Sequence, residues 1–220
     1  MSEPEESGRA LARLDEISRR LRVECPWDRE QDERTIVPHT VEEAYELADA
    51  ANRGDDRKLL DELGDVLFQV VFLSILLEER GAGDFAAVAE HCRQKLVRRH
   101  PHVFGDVEAE TAGEVLRNWD EIKRSEEGRE PGIFGDVPEN LPGPLYARKL
   151  LRRASSAGAS IPPQSVADHL DADDFESVGD LLFAAVALAR EKKVDPELAL
   201  RSAADRFRER IEHEESPARE

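Results

Sequence analysis

The sequence predicts an all-α protein, a bundle of antiparallel helices, on three observations. Only 5% of the 220 residues are aromatic, while Ala, Leu, Glu and Arg are frequent, a balance that favours helices over a β-sandwich. Apolar residues recur at helical rather than alternating spacing in segment after segment. The stretch from Thr40 to Leu77 reads as two helices broken at Arg53-Gly54, and a short connection favours antiparallel neighbours.

Taken in order, residues 1–8 are expected to fray. Leu11, Leu14, Ile17 and Leu21 make residues 9–23 an amphipathic helix, which Pro26 stops by disfavouring helix at Cys25. Residues 29–39 read as a loop or short helix leading to Pro38. A helix over 41–52 follows, with Thr40 as its N-cap and an apolar arc of Val41, Ala44, Leu47, Ala48 and Ala51. The next helix covers 58–79 and ends at Gly81. From Val66 to Leu77 it is apolar except for Gln69 and Ser74, the pattern of a central, buried helix.

Asp84 is placed to cap a helix that reaches Arg99 with Phe85, Val88, Cys92 and Leu96 inward. Residues 112–127 form another, with Val115, Leu116, Trp119 and Ile122 inward. The Gly-, Pro- and acid-rich segment to Pro144 reads as a linker, with Ile133, Phe134 and Leu141 able to tack it to a surface. Residues 145–157 form a basic helix carrying Arg148, Lys149, Arg152 and Arg153. The expected organisation is a domain over 1–125, a linker over 126–144 and a shorter helical region over 145–220.

That last region holds a weak internal repeat. Ser177-Val-Gly-Asp-Leu-Leu-Phe183 echoes Glu62-Leu-Gly-Asp-Val-Leu-Phe68, so Gly64 matches Gly179 and Asp65 matches Asp180. The acids do not repeat. Glu62 becomes Ser177, Gln69 becomes Ala184, Glu176 is one residue out of register, and no paired glutamates stand upstream. The second half keeps a packing face and lacks an acidic one.

The net charge of −18 makes the chain a poor general binder of DNA, RNA or anionic membrane. Its longest apolar run, Val70 to Leu77, is too short to span a bilayer. Cys25 and Cys92 form no disulfide framework or zinc pattern, and the acidic start of the chain lacks an apolar signal core. A cytoplasmic protein is expected.

Chemistry points to the acids. Glu62, Asp65 and Gln69 share one stripe of an otherwise apolar helix, and Glu43 and Glu46 lie three apart on the helix before it. Packed antiparallel, Glu43, Glu46, Glu62 and Asp65 converge into a hard-oxygen site suited to Mg²⁺ or Mn²⁺. Solvated, unrelated carboxylates are the plain alternative, and they leave an acid stripe on so apolar a helix unexplained. Lys95, Arg98 and Arg99 form a local basic patch that reads either as complement to the helix dipole or as a phosphate clamp. No G-x-x-x-x-G-K-[S/T] loop is present, so phosphate would be held by metal and basic side chains. A di-iron carboxylate site would want E-x-x-H pairs, and neither Glu43 nor Glu62 has a His three residues on.

These motifs resemble the MazG family of nucleoside triphosphate pyrophosphohydrolases. The family pattern E-E-x-x-E, then E-x-x-D, stands here as Glu42-Glu43-Ala-Tyr-Glu46 and Glu62-Leu-Gly-Asp65. Cys25-Pro-Trp-Asp-Arg-Glu-Gln31, Lys95-Leu-Val-Arg-Arg-His-Pro-His-Val-Phe104 and Trp119-Asp-Glu-Ile-Lys123 extend the match over about residues 10–125. The resemblance implies an all-α enzyme that hydrolyses a nucleoside triphosphate to monophosphate and pyrophosphate with Mg²⁺, often as a homodimer, with nucleotide-pool house-cleaning as a role. It implies Glu43, Glu46, Glu62 and Asp65 as metal ligands and Glu42 as the group that orients or deprotonates water. Lys95, Arg98, Arg99 and Lys123 would contact polyphosphate, and Trp27 would stack on a base or pack in the core. The competing class is a non-catalytic Mg-nucleotide sensor; the full set of acids favours the enzyme.

Overall fold

The computed structural model describes residues 3–126, 132–135, 137–138, 140–161 and 165–215. Parts of the expected linker and of the loop around Pro162 lie outside the described residues, which contain helices and no strand. The chain divides into two compact units, Met1–Gly105 and Asp106–Glu220. The Ala112–Ser125 helix, which the sequence groups with the first half, belongs to the second unit.

The first unit contains α1 (Glu3–Glu24), α2 (Pro26–Glu30), α3 (Glu33–Arg53), α4 (Asp56–Glu79), α5 (Phe85–Arg99) and α6 (Pro101–Phe104). α1 starts earlier than expected, so residues 3–8 are helical rather than frayed. α3 also starts earlier: Asp32, not Thr40, is its N-cap, and Pro38 lies inside it. The reason is local. Asp32 accepts from the Thr35 backbone N–H at 2.9 Å, while the Thr35 hydroxyl receives the Asp32 N–H at 2.8 Å, a reciprocal capping box. A proline in the second turn forfeits one hydrogen bond close to that well-capped end, which the helix tolerates.

α3 ends at Gly54, whose φ of 68° is the left-handed turn that glycine adopts without a Cβ clash. Asp55 then caps α4, accepting from the Lys58 N–H at 3.0 Å. This tight turn folds α4 back along α3, the principal helix pair of the unit. Their core is Ile36, Phe72 and Leu76, with Phe68 and Leu73 packed against it. Arg22 of α1 spans to the end of α4, donating to Glu79 at 2.7 and 2.8 Å, and lies 5.8 Å over the Phe72 ring.

The pair is rotated from the sequence expectation. On α3, Ile36 and Ala50 are buried, while Val41, Ala44 and Ala51 are exposed. On α4, Glu62 and Gln69 are buried at 5% and 6% exposure, while Leu60 and Leu63 are exposed at 75% and 50%. The polar stripe therefore faces α3 and part of the apolar surface faces outward. Only the C-terminal half of α4, with Val71, Phe72, Ile75 and Leu76, is the buried rod the composition suggests. On α5, Phe85 and Val88 are partly covered as expected, but Cys92 and Leu96 are exposed and Arg99 is buried.

The second unit contains α7 (Ala112–Ser125), α8 (Gly143–Ser156), a 3₁₀ turn (Val166–His169), α9 (Phe175–Glu191) and α10 (Pro196–Glu215). Leu151 of α8 and Ala184 and Val186 of α9 are buried. Asp120 of α7 joins α8 by accepting from Arg152 at 2.8 Å and from Ser156 at 2.6 Å.

The repeat diverges for a structural reason. α4 begins nine residues before Asp65, so Glu62 lies within the helix body, whereas α9 begins five before Asp180. Ser177, the counterpart of Glu62, falls in the first turn and completes a capping box with Asp174. A position that carries an acid in one helix carries a cap in the other, and a 3₁₀ turn precedes it instead of a long α3 equivalent.

Candidate metal centre

Position 43 on α3 and positions 62 and 65 on α4 face each other across the antiparallel pair. One carboxylate oxygen from each of Glu43, Glu62 and Asp65 lies within 4.8 Å of the others. Glu62 is buried, Glu43 is half-buried and Asp65 is exposed, so the cluster opens to solvent on one side. Lys58 lies 3.6 Å from Glu62. Burial, followed by the charges of Asp65, Glu46, Glu62 and Glu42, pushes the Glu43 carboxyl above its ordinary value. Carboxylates this close repel one another unless a positive charge sits among them, and three hard oxygen donors at this spacing fit a divalent cation.

Glu46 is exposed and stands outside the three-carboxylate group, although its charge acts on Glu43. Glu42 is also outside it, 3.1 Å from His39 Nδ1. Trp27 is half exposed, neither core nor solvent-free, and its ring meets His39 edge-on at 5.8 Å. Of the basic patch at the end of α5, Arg99 is buried, Lys95 half-buried and Arg98 exposed. Lys123 lies on α7, in the second unit.

Two contributors escaped the sequence reading. Thr40 Oγ1 donates to Gln69 Oε1 at 3.2 Å, one turn from Glu43 on α3 and from Asp65 on α4. Lys58 partners Glu62. The signal for the first was present: Gln69 interrupts the apolar run on the acid stripe, and a buried amide needs a partner.

An all-α fold with hard oxygen donors gathered between two helices defines a carboxylate-cluster protein, a class suited to divalent-cation and phosphate chemistry. Residues 31–104, which include all these acids, match the MazG nucleotide pyrophosphohydrolase domain. The chain is 39% identical to the nucleoside triphosphate pyrophosphohydrolase of Escherichia coli K12, with 91% of this chain and 85% of that protein aligned. It is 37% identical to the nucleoside triphosphate pyrophosphohydrolase/pyrophosphatase MazG of Thermotoga maritima, over 94% and 86%. It is 31% identical to the nucleoside triphosphate pyrophosphohydrolase of Mycobacterium tuberculosis, over 92% of this chain and 56% of that one. The chain belongs to the MazG nucleotide pyrophosphohydrolase family. Among the described residues no helix is long and apolar enough to cross a membrane.

Proposed function

We propose that this chain is a nucleoside triphosphate pyrophosphohydrolase that uses Mg²⁺ or Mn²⁺. Water would add to the α-phosphorus, the bond to the β-phosphate oxygen would break, and monophosphate and pyrophosphate would leave. The observation that carries the reading is the meeting of Glu43, Glu62 and Asp65 within 4.8 Å. Three relatives named for this activity support it.

Glu43, Glu62 and Asp65 would hold the cation, with Glu46 as a further ligand one turn along α3. When bound, the ion supplies charge neutralisation at the phosphates. The chain's own groups do the rest. Glu42 orients the attacking water and accepts its proton. Lys95, Arg98 and Arg99 bind the polyphosphate and stabilise the departing charge. Trp27 offers its exposed ring to the base. Catalysis is assigned to residues 1–125, and residues 145–220 form a shortened region without the acid set.

A second copy of the chain is the proposed cover for the apolar side of α3 and α4. Leu60, Leu63, Val70, Val37 and Val41 are 38–75% exposed there, an outward face that a single chain leaves wet. Light scattering of the purified chain should give a dimer; a monomer at micromolar concentration contradicts this part. For the activity, a triphosphate panel with Mg²⁺ or Mn²⁺ should yield monophosphate and pyrophosphate by ³¹P NMR. Nucleotide binding without turnover would identify a sensor instead and overturn the proposal.

A further inference from the structure

The second unit holds a cleft of about 970 Å³ between α7, α8 and the junction of α9 with α10. Its lining is the reverse of the rest of the chain in charge. Arg117, Arg148, Lys149, Arg152, Arg190 and Lys193 line it, against only Asp120 and Asp195. Each acid is already engaged, Asp120 by Arg152 and Asp195 by Arg148. Among the described residues, Lys149, Arg190 and Lys193 make no ion pair, so the cleft keeps a positive excess inside a chain of net charge −18. Leu116, Leu141, Leu145 and Val194 supply an apolar wall beside these cations.

Lys193 adds a second observation. It has φ of 58°, and it is the one non-glycine residue with positive φ among the described residues. It ends α9 in a left-handed turn, its N–H bonded to the Arg190 carbonyl at 3.1 Å and the next N–H to Ala189 at 2.9 Å. Glycine is the residue such a turn favours, because an L side chain bears a steric cost there. Here the position carries a cation that lines the cleft. Burial, then the neighbouring Arg153 and Arg152, hold the Lys149 ammonium below the ordinary lysine value, a like-charge crowding that an anion would relieve.

We propose that this cleft binds a small phosphorylated ligand of nucleotide size, without a metal ion. The cations suit phosphate oxygens, arginine above all. The volume and the leucine wall exceed what a bare phosphate needs and suit a base or similar ring beside it. A small molecule is favoured over a nucleic acid, which the acidic remainder of the chain would repel. Among the described residues the only carboxylate cluster able to hold a cation is in the other unit. Nor is the cleft a remnant of the repeated acid site. Asp180 does not line it, and ten residues along α9 separate Asp180 from Arg190, about 15 Å.

The test is calorimetric titration of the full chain carrying Glu62→Gln, in EDTA, so that neither hydrolysis nor cation-dependent binding in the first unit contributes. ADP should bind, weakening as salt is raised. Adenosine should not bind, and pyrophosphate should bind more weakly than ADP. Arg190→Gln with Lys193→Gly should cost at least about tenfold in ADP affinity. The glycine relieves the left-handed turn, so the variant should stay folded by circular dichroism. No ADP binding in EDTA, or an unchanged affinity in the folded variant, overturns the site. Adenosine binding as well as ADP removes the phosphate role, and pyrophosphate binding as well as ADP removes the nucleotide-sized assignment. Neither result bears on hydrolysis by the first unit, which is read separately in the parent chain with Mg²⁺.

Discussion

Thr40 of α3 donates a side-chain hydrogen bond of 3.2 Å to Gln69 of α4, and Gln69 is buried. The bond sets the relative register of the two helices one turn from the acids. With Thr40 opposite Gln69, the antiparallel pair brings Glu43 level with Asp65. Gln69→Ala leaves the Thr40 hydroxyl only its 3.4 Å bond to the Ile36 carbonyl and loosens that register without removing a ligand. Cation affinity should fall about tenfold, the lower end for groups that support metal ligands, with helicity retained. Manganese titration of the variant checks this, and an unchanged affinity would make the bond structural only.

Ligand removal should separate function from folding. Asp65→Asn, Glu62→Gln and Glu46→Gln should each lower triphosphate turnover by about 10²-fold or more, beyond what supporting residues contribute. Removing a charge from crowded carboxylates also relieves repulsion, so thermal stability should hold or rise. Steady-state kinetics beside a melting curve makes the comparison. Full turnover in any purified variant would remove that residue from the site.

The second half should tolerate the matching change. Asp180 is exposed, and its neighbour in the repeat pattern, Ser177, is occupied as a helix cap. Asp180→Asn should leave turnover essentially unaltered in the same assay. A large loss would give α9 a catalytic role that the present account denies it.

Asp120 offers a pH prediction. It is 1% exposed and accepts from Arg152 at 2.8 and 2.9 Å and from Ser156 at 2.6 Å. Burial raises its carboxyl, but the Ser156 and Arg152 hydrogen bonds and the Arg152 and Arg153 charges outweigh it and hold it below its ordinary value. A carboxyl lowered on folding stabilises fully above its unfolded value, about 3.9, and that contribution disappears as pH falls through the folded value. Asp120→Asn should cost about 1–3 kcal/mol near neutral pH, since partners of a buried acceptor lose it. The cost should shrink below about pH 4, as denaturant unfolding at several pH values would show.

Much of this architecture was legible because its signals are local. Asp84 caps α5 as its position before an apolar-periodic run suggests, accepting the Ala87 N–H at 2.7 Å. Gly81 stands just past α4 with φ of 67°. The start of α3 is less legible, because Pro38 and Thr40 imitate a helix boundary while the capping box at Asp32 and Thr35 starts the helix earlier. Spacing points to Glu43, Glu46, Glu62 and Asp65, of which Glu43, Glu62 and Asp65 meet and Glu46 stands outside, because spacing does not fix rotation. A composition-based apolar arc put Val41 and Ala44 inside, whereas the hydrogen-bonded Gln69 stripe turned Glu43 and Glu62 inward instead. Partnerships between distant residues, such as Asp120 with Arg152, leave no periodic trace, so the basic cleft of the second unit was visible only as a basic helix.

The account rests on α3 and α4 gripping a divalent cation between their acidic edges. Calorimetric titration of Mn²⁺ into the full chain, and into the Glu62→Gln, Asp65→Asn double variant, tests that directly. Saturable binding to the parent chain, weakened at least about 10²-fold in a double variant of unchanged helicity, is the predicted result. Absence of binding to the parent chain, or equal binding by both proteins, would contradict it.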